Sequence, residues 1–338
     1  MLMPWHQDIA AYTAAQIAAG TLPPVLAWEG PPDIGKAHLV QYLAQTAICS
    51  NPMNVGGHHQ YCGVCTNCHW FIAKTHPNIR WIGAEEGTLG IDVLRDAIDF
   101  LQHRSTSACG AWLLISDAEK MTEAASHALL KTLEEPAGDA HIWLVTDQWH
   151  GLSATVQSRC VRIRLRGPSE SELLAWLKAD WLKTTQQLPL ACWVGLAQGA
   201  PLRAQQWLQT AESAIAILCQ NLAEFPRNIG LMTSLVKPIP EAEGVLLVLL
   251  SMWVQDYLQG NVSRLPAPLQ QWWPSTRTHT SIQAAWVLWD KLQRTQKAIA
   301  TERSVNQNVH MEAALLAWSD FIRQHETGSN KQTQPKPI

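Results

Sequence analysis

Residues 25–37 contain the feature that most limits how this chain can fold. An apolar run, Val25–Trp28, is followed by Gly30-Pro-Pro-Asp-Ile-Gly35-Lys36 and then by a stretch with helical spacing. This is the Gly-x4-Gly-Lys core of a phosphate-binding loop, in which backbone N–H groups between a strand and a helix surround phosphate oxygens. The motif and its context predict a parallel α/β sheet with this loop after one of its strands.

Short apolar runs alternate with helical patterns from this loop to about Arg166. Apolar residues recur at helical spacing over 91–101, and a further helix is predicted over Ala124–Leu133, with Thr122 as its N-cap. Alternation of this kind is typical of a parallel sheet covered by helices. The predicted strands are Val25–Trp28, Ala111–Ser116, Ile142–Thr146 and Val161–Leu165.

The character of the sequence changes after Gly167-Pro168. Ser169 and Glu172 form a capping box ahead of an apolar helical pattern, and the following patterns are helical. A second break is expected near Gln209. The predicted parts are an α/β domain over 1–167, a small helical domain over 168–208, a larger helical domain over 209–325 and a disordered polar tail over 326–338.

Length and charge narrow the class of protein. A chain of 338 residues suits two or three domains. Its 25 basic and 28 acidic residues give a net charge of −3, which argues against a strong stand-alone DNA binder. The longest apolar run, in 245–254, is too short to cross a bilayer, so the expected location is the cytoplasm. In that compartment the eight cysteines favour metal binding over disulfides.

The phosphate loop lacks the groups that an ATPase needs. The residue after the loop lysine is Ala37, where a Ser or Thr hydroxyl would ligate Mg²⁺. Asp33 places a carboxylate in the loop itself, where it would repel a polyphosphate. The strand over 112–116 ends at the acidic Asp117, but Ala118 follows where a water-activating Glu is expected, and Glu119 is one position too far. We therefore expect no productive ATP binding, although Lys36 could still hold a nucleotide weakly.

Clustered cysteines indicate a metal site inside the α/β domain. Cys62, Cys65 and Cys68 are spaced two residues apart, and Cys49 lies upstream to complete a tetrahedron. A site with four thiolates and no open position is structural, and zinc is its expected occupant. The alternatives are a histidine as fourth ligand, namely His58, His59 or His69, or a redox-active Cys-x-x-Cys. The scattered cysteines are expected to be buried: Cys109, Cys160, Cys192 and Cys219.

Arg159 is the candidate for a functional cation. It lies in Ser158-Arg159-Cys160, between a short helical pattern over Leu152–Gln157 and the last predicted strand. From the end of a helix on a phosphate-loop domain, an arginine can reach the triphosphate of a neighbouring subunit. An ordinary surface ion pair is the alternative interpretation of this position.

Taken together, these segments resemble the clamp-loader branch of the AAA+ ATPases over nearly the whole chain. Ala128-Leu-Leu-Lys-Thr-Leu-Glu-Glu-Pro136 and Ser158-Arg-Cys160 are the most specific features, although His127 stands where the family usually has Asn. The other landmarks are the degenerate loop Gly30–Ala37, the cysteine module Cys49–Cys68, Thr75–Pro77, Gly90–Arg95, Leu144–Thr146, Asn306–Asn308 and Glu312–Leu316.

The resemblance implies an AAA+ α/β domain, a small helical lid and an all-α collar that packs in a ring. It implies that Arg159 completes the ATP site of an adjacent tau or gamma subunit in trans, and that the four cysteines bind zinc. Thr146 falls at the sensor position of its strand, and Arg203 lies near a second sensor. In a collar, Trp253, Trp286, Trp289 and Trp318 would be buried between subunits or within the domain.

The partners implied are the tau/gamma and delta subunits of a bacterial clamp loader and, through the complex, the sliding clamp and primed DNA. An active tau/gamma-type member would keep a Thr after the loop lysine and an acidic pair on the strand. Ala37 and Ala118 therefore favour a non-hydrolysing subunit over an ATP-hydrolysing motor. A third interpretation, a zinc-dependent nucleic-acid-binding protein on the same scaffold, conflicts with the net negative charge.

Overall fold

The computed structural model describes residues 2–55, 58–84, 87–102, 110–237, 239, 244–260, 264–270, 278–301 and 307–326. The chain divides into two compact units, Met1–Pro168 and Ser169–Ile338. The expected fold class is confirmed: the first unit is a parallel α/β domain, and the described part of the second is helical. Cys109, the start of Asn306–Asn308 and the tail after Glu326 lie outside the described residues.

The first unit is built on a five-stranded parallel sheet in the order β4-β5-β6-β1-β7. Its strands are β1 Val25–Glu29, β4 Ile79–Ile82, β5 Ala111–Ile115, β6 Ala140–Thr146 and β7 Val161–Arg164, and a separate hairpin joins β2 Met53–Val55 to β3 His58–Gln60. The helices are α1 Gln7–Ala19, α2 Lys36–Ile48, α3 Thr66–Ile72, α4 Ile91–Gln102, α5 Glu123–Glu134 and α6 Ala154–Gln157.

Side chains alternate between the two faces of this sheet, because successive residues of a strand point in opposite directions. On one face Trp28, Trp112 and Trp143 pack edge to face, with ring centroids 4.9 and 5.5 Å apart, against α1 and α2. On the other face Leu113 and Leu144 pack against α4 and α5. Both faces are thus buried, which explains why the central strands are continuous apolar runs.

Two predicted helix starts are confirmed by their hydrogen bonds. Thr122 caps α5 by accepting a bond from the N–H of Ala125 at 3.2 Å. Ser169 and Glu172 form the expected reciprocal capping box at the start of the second unit. Strand β4 and helix α1 were not predicted from the sequence.

The second unit has one continuous apolar core, to which residues from Leu173 to Ile322 contribute. Trp253 and Trp318 lie at its centre, with ring centroids 5.7 Å apart, whereas Trp286 is 56% exposed. None of its described helices is long and apolar enough to span a bilayer, and the same holds for the first unit. The helices are α7 Glu170–Trp181, α8 Leu190–Ala197, α9 Pro201–Thr210, α10 Glu212–Glu224, α11 Met232–Val236, α12 Val245–Gln259, α13 Ala267–Gln270, α14 His279–Thr301 and α15 Gln307–Glu326.

Candidate functional site

The phosphate loop joins β1 to α2, as the motif predicts, and its glycines are required by close packing. A Cβ at Gly30 would lie 2.8 Å from the carbonyl oxygen of Leu165, the residue that follows β7. Gly35 has φ +90°, and a Cβ there would lie 2.7 Å from Cγ of Met3. A side chain at either position would displace neighbouring atoms, so both positions require glycine.

Lys36, the loop lysine, is already paired inside the chain. Its side chain is 5% exposed, and its Nζ lies 2.5 Å from Oδ1 of Asp147. The same Nζ donates a hydrogen bond of 2.6 Å to the carbonyl oxygen of Pro31. A phosphate that bound here in the usual way would have to displace a carboxylate from a buried ammonium, which is costly in a poorly solvated site.

A segment before α1 packs on this loop. The indole Nε1 of Trp5 donates to the carbonyl oxygen of Ile34 at 2.9 Å, and Met3 is buried against Gly35. His6 is 1% exposed. Burial, and secondarily the positive charge of Lys36, lower the pKa of His6 from 6.5 to about 4, so this side chain is neutral at pH 7.

The residues near the positions expected to hold Mg²⁺ and activate water either lack a ligand atom or are already bonded within the chain. Ala37 is exposed at the start of α2 and Ala118 is buried, and neither has a ligand atom. Asp117 pairs with Lys120 at 2.9 Å, and this contact is the main reason that the pKa of Lys120 is raised. Glu119 accepts a hydrogen bond of 3.3 Å from the N–H of Asp147.

Asp33, Thr146 and Arg203 differ in their surroundings. Asp33 has φ +56°, the left-handed conformation that Asp tolerates better than most residues. Thr146 is buried at the end of β6, where its hydroxyl bonds both the N–H and the carbonyl of Gln148 at 3.1 Å. Arg203 lies on α9 in the second unit and is exposed.

The four predicted cysteine ligands lie together. The sulfur atoms of Cys49, Cys62, Cys65 and Cys68 are all within 4.8 Å of one another. Cys49 Sγ lies 3.5 Å from Cys62 Sγ and 3.9 Å from Cys65 Sγ. Tetrahedral zinc with Zn–S bonds of about 2.3 Å requires sulfur–sulfur distances of about 3.8 Å, so the cluster has the dimensions of a zinc site.

Backbone N–H groups support the sulfur atoms of this cluster. The N–H of Cys62 points to Cys49 Sγ and that of Cys65 to Cys62 Sγ, both at 3.3 Å, and the N–H of Cys68 points to Cys65 Sγ at 3.5 Å. Asn67, which sequence analysis did not single out, donates to the carbonyl oxygen of Ile48 at 2.8 Å. It thereby ties α3 to the end of α2, beside two of the ligands.

Burial and hydrogen bonds shift the pKa values of the four thiols in opposite directions. Burial raises the pKa of Cys68 to about 12 and also raises that of Cys49. At Cys65 burial acts in the same direction, but hydrogen bonds led by the N–H of Cys68 lower the pKa to about 6. The N–H of Val64 is the main cause of a lowered pKa at Cys62. Four thiolates this close repel one another, and a divalent cation removes that repulsion.

The other cysteines and the proposed histidine ligands are separate from this cluster. His69 is exposed and His59 is half-buried, and among the described side chains the cluster contains cysteines alone. The side chain of His58 lies outside the described residues. Cys192 and Cys219 are buried, as expected, while Cys160 is half-buried.

Arg159 follows α6 and is 30% exposed. Its Nε donates to Oε1 of Glu134 at 2.7 Å, and its Nη2 donates to the same oxygen. Its Nη1 donates to the carbonyl oxygen of Thr155 at 2.8 Å and to Oγ of Ser158 at 3.2 Å. The guanidinium therefore lies at the surface with its orientation fixed by three acceptors.

Ser158 and Cys160, the two neighbours of Arg159, have different structural roles. The Ser158 hydroxyl donates to the Thr155 carbonyl at 3.0 Å and accepts from Arg159. Cys160 packs against the core formed by α4, α5 and the sheet, and burial raises the pKa of its thiol to about 11. Cys160 is therefore an inert anchor at neutral pH, and the serine supports the guanidinium.

Comparison with known proteins agrees with the resemblance found in the motifs. Residues 5–169 match a family described as "DNA polymerase III, delta subunit". The chain is 31% identical over 223 residues to the DNA polymerase III subunit delta' of Escherichia coli K12, and the match covers 65% of each chain. The chain is related to the delta' subunits of DNA polymerase III.

Further relatives have the same description. The delta' subunit of Pseudomonas aeruginosa is 32% identical over 208 residues, which cover 58% of this chain and 62% of that protein. The chain thus spans less than two thirds of the length of these two delta' relatives. A gamma-subunit-related protein of Thermotoga maritima, of known structure, has a TM-score of 0.47 and 17% identity, covering 92% of this chain and 99% of that one.

The family match over 5–169 includes every candidate site residue of the first unit. The fold brings Gly30, Gly35 and Lys36 together in the loop, and it gathers the four cysteines. The two carboxylates that pair with the candidate cations, Asp147 and Glu134, were not predicted from the sequence. Asp147 had a usable signal, because it follows β6, and the carboxyl ends of neighbouring parallel strands meet at one edge of a sheet.

Proposed function

We propose that this chain is a delta' subunit of a bacterial clamp loader that does not hydrolyse ATP itself. In this proposal it contributes Arg159 in trans to the ATP site of a neighbouring tau or gamma subunit. With delta and the tau/gamma subunits it would help to place the sliding clamp on primed DNA during replication in the cytoplasm. The relationship to delta' proteins supports membership of such a complex.

One observation carries the non-hydrolysing part of the proposal: the loop lysine is paired with Asp147 within the same chain. In an active P-loop ATPase this lysine reaches the β- and γ-phosphates. Here the ammonium is buried and its charge is compensated, and neither Ala37 nor Ala118 offers a ligand to Mg²⁺ or a base to water. The loop then serves as a structural part of the domain.

The surface position of Arg159 supports its proposed role toward a neighbour. A trans-acting arginine must be reachable from outside the chain and must keep a defined direction. Arg159 meets both requirements, since it is partly exposed and is oriented by Thr155 and Ser158 on its own helical segment.

The cysteine cluster is proposed to hold a structural zinc ion. Its four sulfur atoms lie within 4.8 Å of one another, and four thiolate ligands would complete the coordination of tetrahedral zinc without a reacting water. Zinc, when bound, would supply charge neutralisation and a crosslink between the end of α2 and the start of α3. Cys49 and the backbone N–H groups that bond the sulfurs would set the geometry of that crosslink.

The second unit is proposed to contain the lid over 168–208 and the ring-forming collar over 209–325. Exposed apolar side chains on α14, Trp286 and Val287, support an oligomeric surface within the collar. The other three tryptophans expected in the collar are less exposed than Trp286. Trp253 and Trp318 are core residues, and Trp289 packs at the edge of the core.

The test is ATP hydrolysis by the isolated chain and by the loader reconstituted with its partner subunits, clamp and primed DNA. The isolated chain should turn over no ATP. Arg159→Ala should lower hydrolysis by the complex by about 10³-fold or more, the loss typical of a trans-acting arginine. Arg164→Ala is a matched control, because Arg164 is 73% exposed and lies five residues further along the chain.

The outcomes separate the candidate functions. Brisk turnover by the isolated chain would favour the ATP-hydrolysing motor instead. Full activity of the Arg159→Ala complex would remove the trans role of Arg159. Zinc-dependent binding of nucleic acid by the isolated chain would favour the nucleic-acid-binding alternative.

A further inference from the structure

Glu134 is the counter-ion of Arg159 in this chain. It is the last residue of α5, while Arg159 follows α6, and two guanidinium nitrogens, Nε and Nη2, donate to one of its carboxylate oxygens. These two nitrogens form one edge of the guanidinium. That edge is one that arginine uses for paired hydrogen bonds to carboxylates and phosphates.

The opposite side of the guanidinium is also engaged. Nη1 donates to the Thr155 carbonyl and to the Ser158 hydroxyl, both on the segment that carries Arg159. A guanidinium has five N–H groups, and these contacts with Glu134, Thr155 and Ser158 make four hydrogen bonds. Arg159 therefore cannot form a paired contact with a phosphate through its Nε edge while Glu134 occupies that edge.

Local helix energetics do not account for this placement of Glu134. The carboxyl end of a helix carries a partial negative charge, which disfavours an acidic residue there. α5 nevertheless ends in Glu134 and is followed by Glu135. Within the part of the chain that the structure describes, Glu134 makes its ion pair with Arg159.

Solvent exposure makes this ion pair replaceable. The Arg159 side chain is 30% exposed and that of Glu134 is 50% exposed, so water screens their attraction. A triphosphate carries more negative charge than one carboxylate and can accept a bidentate contact. Approach of a neighbour's nucleotide would thus favour exchange of one anion for the other.

We propose that Glu134 is a positioning residue that competes with the neighbour's triphosphate for Arg159. The inference rests on the proposed trans role of Arg159. Glu134 holds the guanidinium in a paired state until a nucleotide-bound neighbour is in place, and Thr155 and Ser158 keep its direction after Glu134 is released. The carboxylate lowers the fraction of Arg159 that is free to bind the triphosphate. It thereby lowers the rate of ATP hydrolysis at the neighbouring site.

The test compares Glu134→Ala and Glu134→Gln with Glu135→Ala in the reconstituted loader, measuring ATP hydrolysis in the presence of clamp and primed DNA. Glu134→Ala should raise kcat/KM by about two- to fivefold at low ionic strength, which corresponds to about 0.4–1 kcal/mol, typical of an exposed ion pair. Glu134→Gln keeps the shape and one acceptor, so it should give a smaller rise. The differences should shrink at high salt, because salt screens the pair.

Glu135→Ala is the matched control. Glu135 is exposed and lies next to Glu134, so its removal takes away the same charge. The hydrogen bonds described for Arg159 go to Glu134, Thr155 and Ser158 and not to Glu135. In an Arg159→Ala background, Glu134→Ala should have no further effect. Thermal unfolding of each variant confirms that it is folded.

Three outcomes would contradict the inference, and they differ in what they say about Arg159. If Arg159→Ala abolishes hydrolysis but Glu134→Ala behaves like Glu135→Ala or lowers the rate, the competition is wrong and the trans role of Arg159 stands. If Arg159→Ala leaves the rate unchanged, the proposed function fails and the role of Glu134 fails with it. A rise for Glu134→Ala that persists without Arg159 would also overturn the inference.

Discussion

Three charged side chains decide how the first unit of this chain can act: Lys36, Asp147 and Arg159. Each makes its ion pair within the chain, but their surroundings differ. Lys36 is 5% exposed, so its pair with Asp147 is difficult to replace, whereas Arg159 lies at the surface. Burial therefore separates a cation committed to the fold from a cation that solvent reaches.

His6 gives a pH-dependent prediction at the residue scale. Its pKa is about 4 in the folded chain and 6.5 as a free side chain, because burial and Lys36 disfavour the imidazolium. Between these values the unfolded chain binds a proton that the folded chain does not, so the free energy of unfolding must fall as pH is lowered from 6.5 toward 4. At about pH 5 this decrease in the free energy of unfolding amounts to about 2 kcal/mol, and it should be absent in His6→Gln.

The measurement is urea unfolding of wild type and His6→Gln at several pH values. His150→Gln is the control, because His150 is exposed. Titration of all other groups is common to the three proteins and cancels in their differences. Equal pH profiles for wild type and His6→Gln would contradict the assignment of a neutral, buried His6 beside the loop.

At the scale of elements, the sequence predicted the parts of the first unit that carry strong local patterns. The loop, the central strands and the caps of α5 and α7 have such patterns. Strand β4 was missed because it is four residues long and alternates apolar residues with Arg80, without a long apolar run. Helix α1 was missed because its many alanines give only weak contrast between faces.

Ion pairs between distant segments could not be predicted in the same way. Glu134 ends α5 and Arg159 follows α6, and no local spacing relates them. Their contact depends on how two helices pack beside the sheet, which is a tertiary property. The cysteine cluster was predictable, because three of its four ligands are close in sequence and metal geometry restricts the fourth.

The cysteine module gives a prediction at the element scale. Cys65→Ser should reduce bound zinc from about one equivalent per chain to nearly none, since serine replaces a thiolate in a four-ligand site. Without the metal, the hairpin β2–β3 and α3 lose their crosslink to the end of α2, and proteolysis should cut between Cys49 and Cys68. Metal analysis and limited proteolysis check both expectations.

Cys160→Ser is the matched control for the module, because Cys160 is a half-buried cysteine of the same unit outside the cluster. It should retain the zinc of the wild type. Loss of zinc in both variants would indicate a general failure of folding. Retention of zinc in Cys65→Ser would show that the site does not need all four thiolates.

At the scale of the whole molecule, the chain consists of two units with separate apolar cores. The cores of Met1–Pro168 lie on the two faces of its sheet, and that of Ser169–Ile338 is formed by its helices. A unit with its own core can unfold cooperatively by itself. The proposed metal site belongs to the first unit alone, so removal of the metal by a chelator should destabilise that unit and not the second.

Differential scanning calorimetry of the full chain should therefore show two transitions. A strong chelator should lower the transition temperature of the first unit, because zinc binding is coupled to its folded state, and should leave that of the second unit in place. Each transition can be assigned with fragments 1–168 and 169–338, whose separate scans should reproduce it. A single transition that shifts as a whole with chelator would show that the two cores unfold as one, and that the metal module stabilises the entire chain.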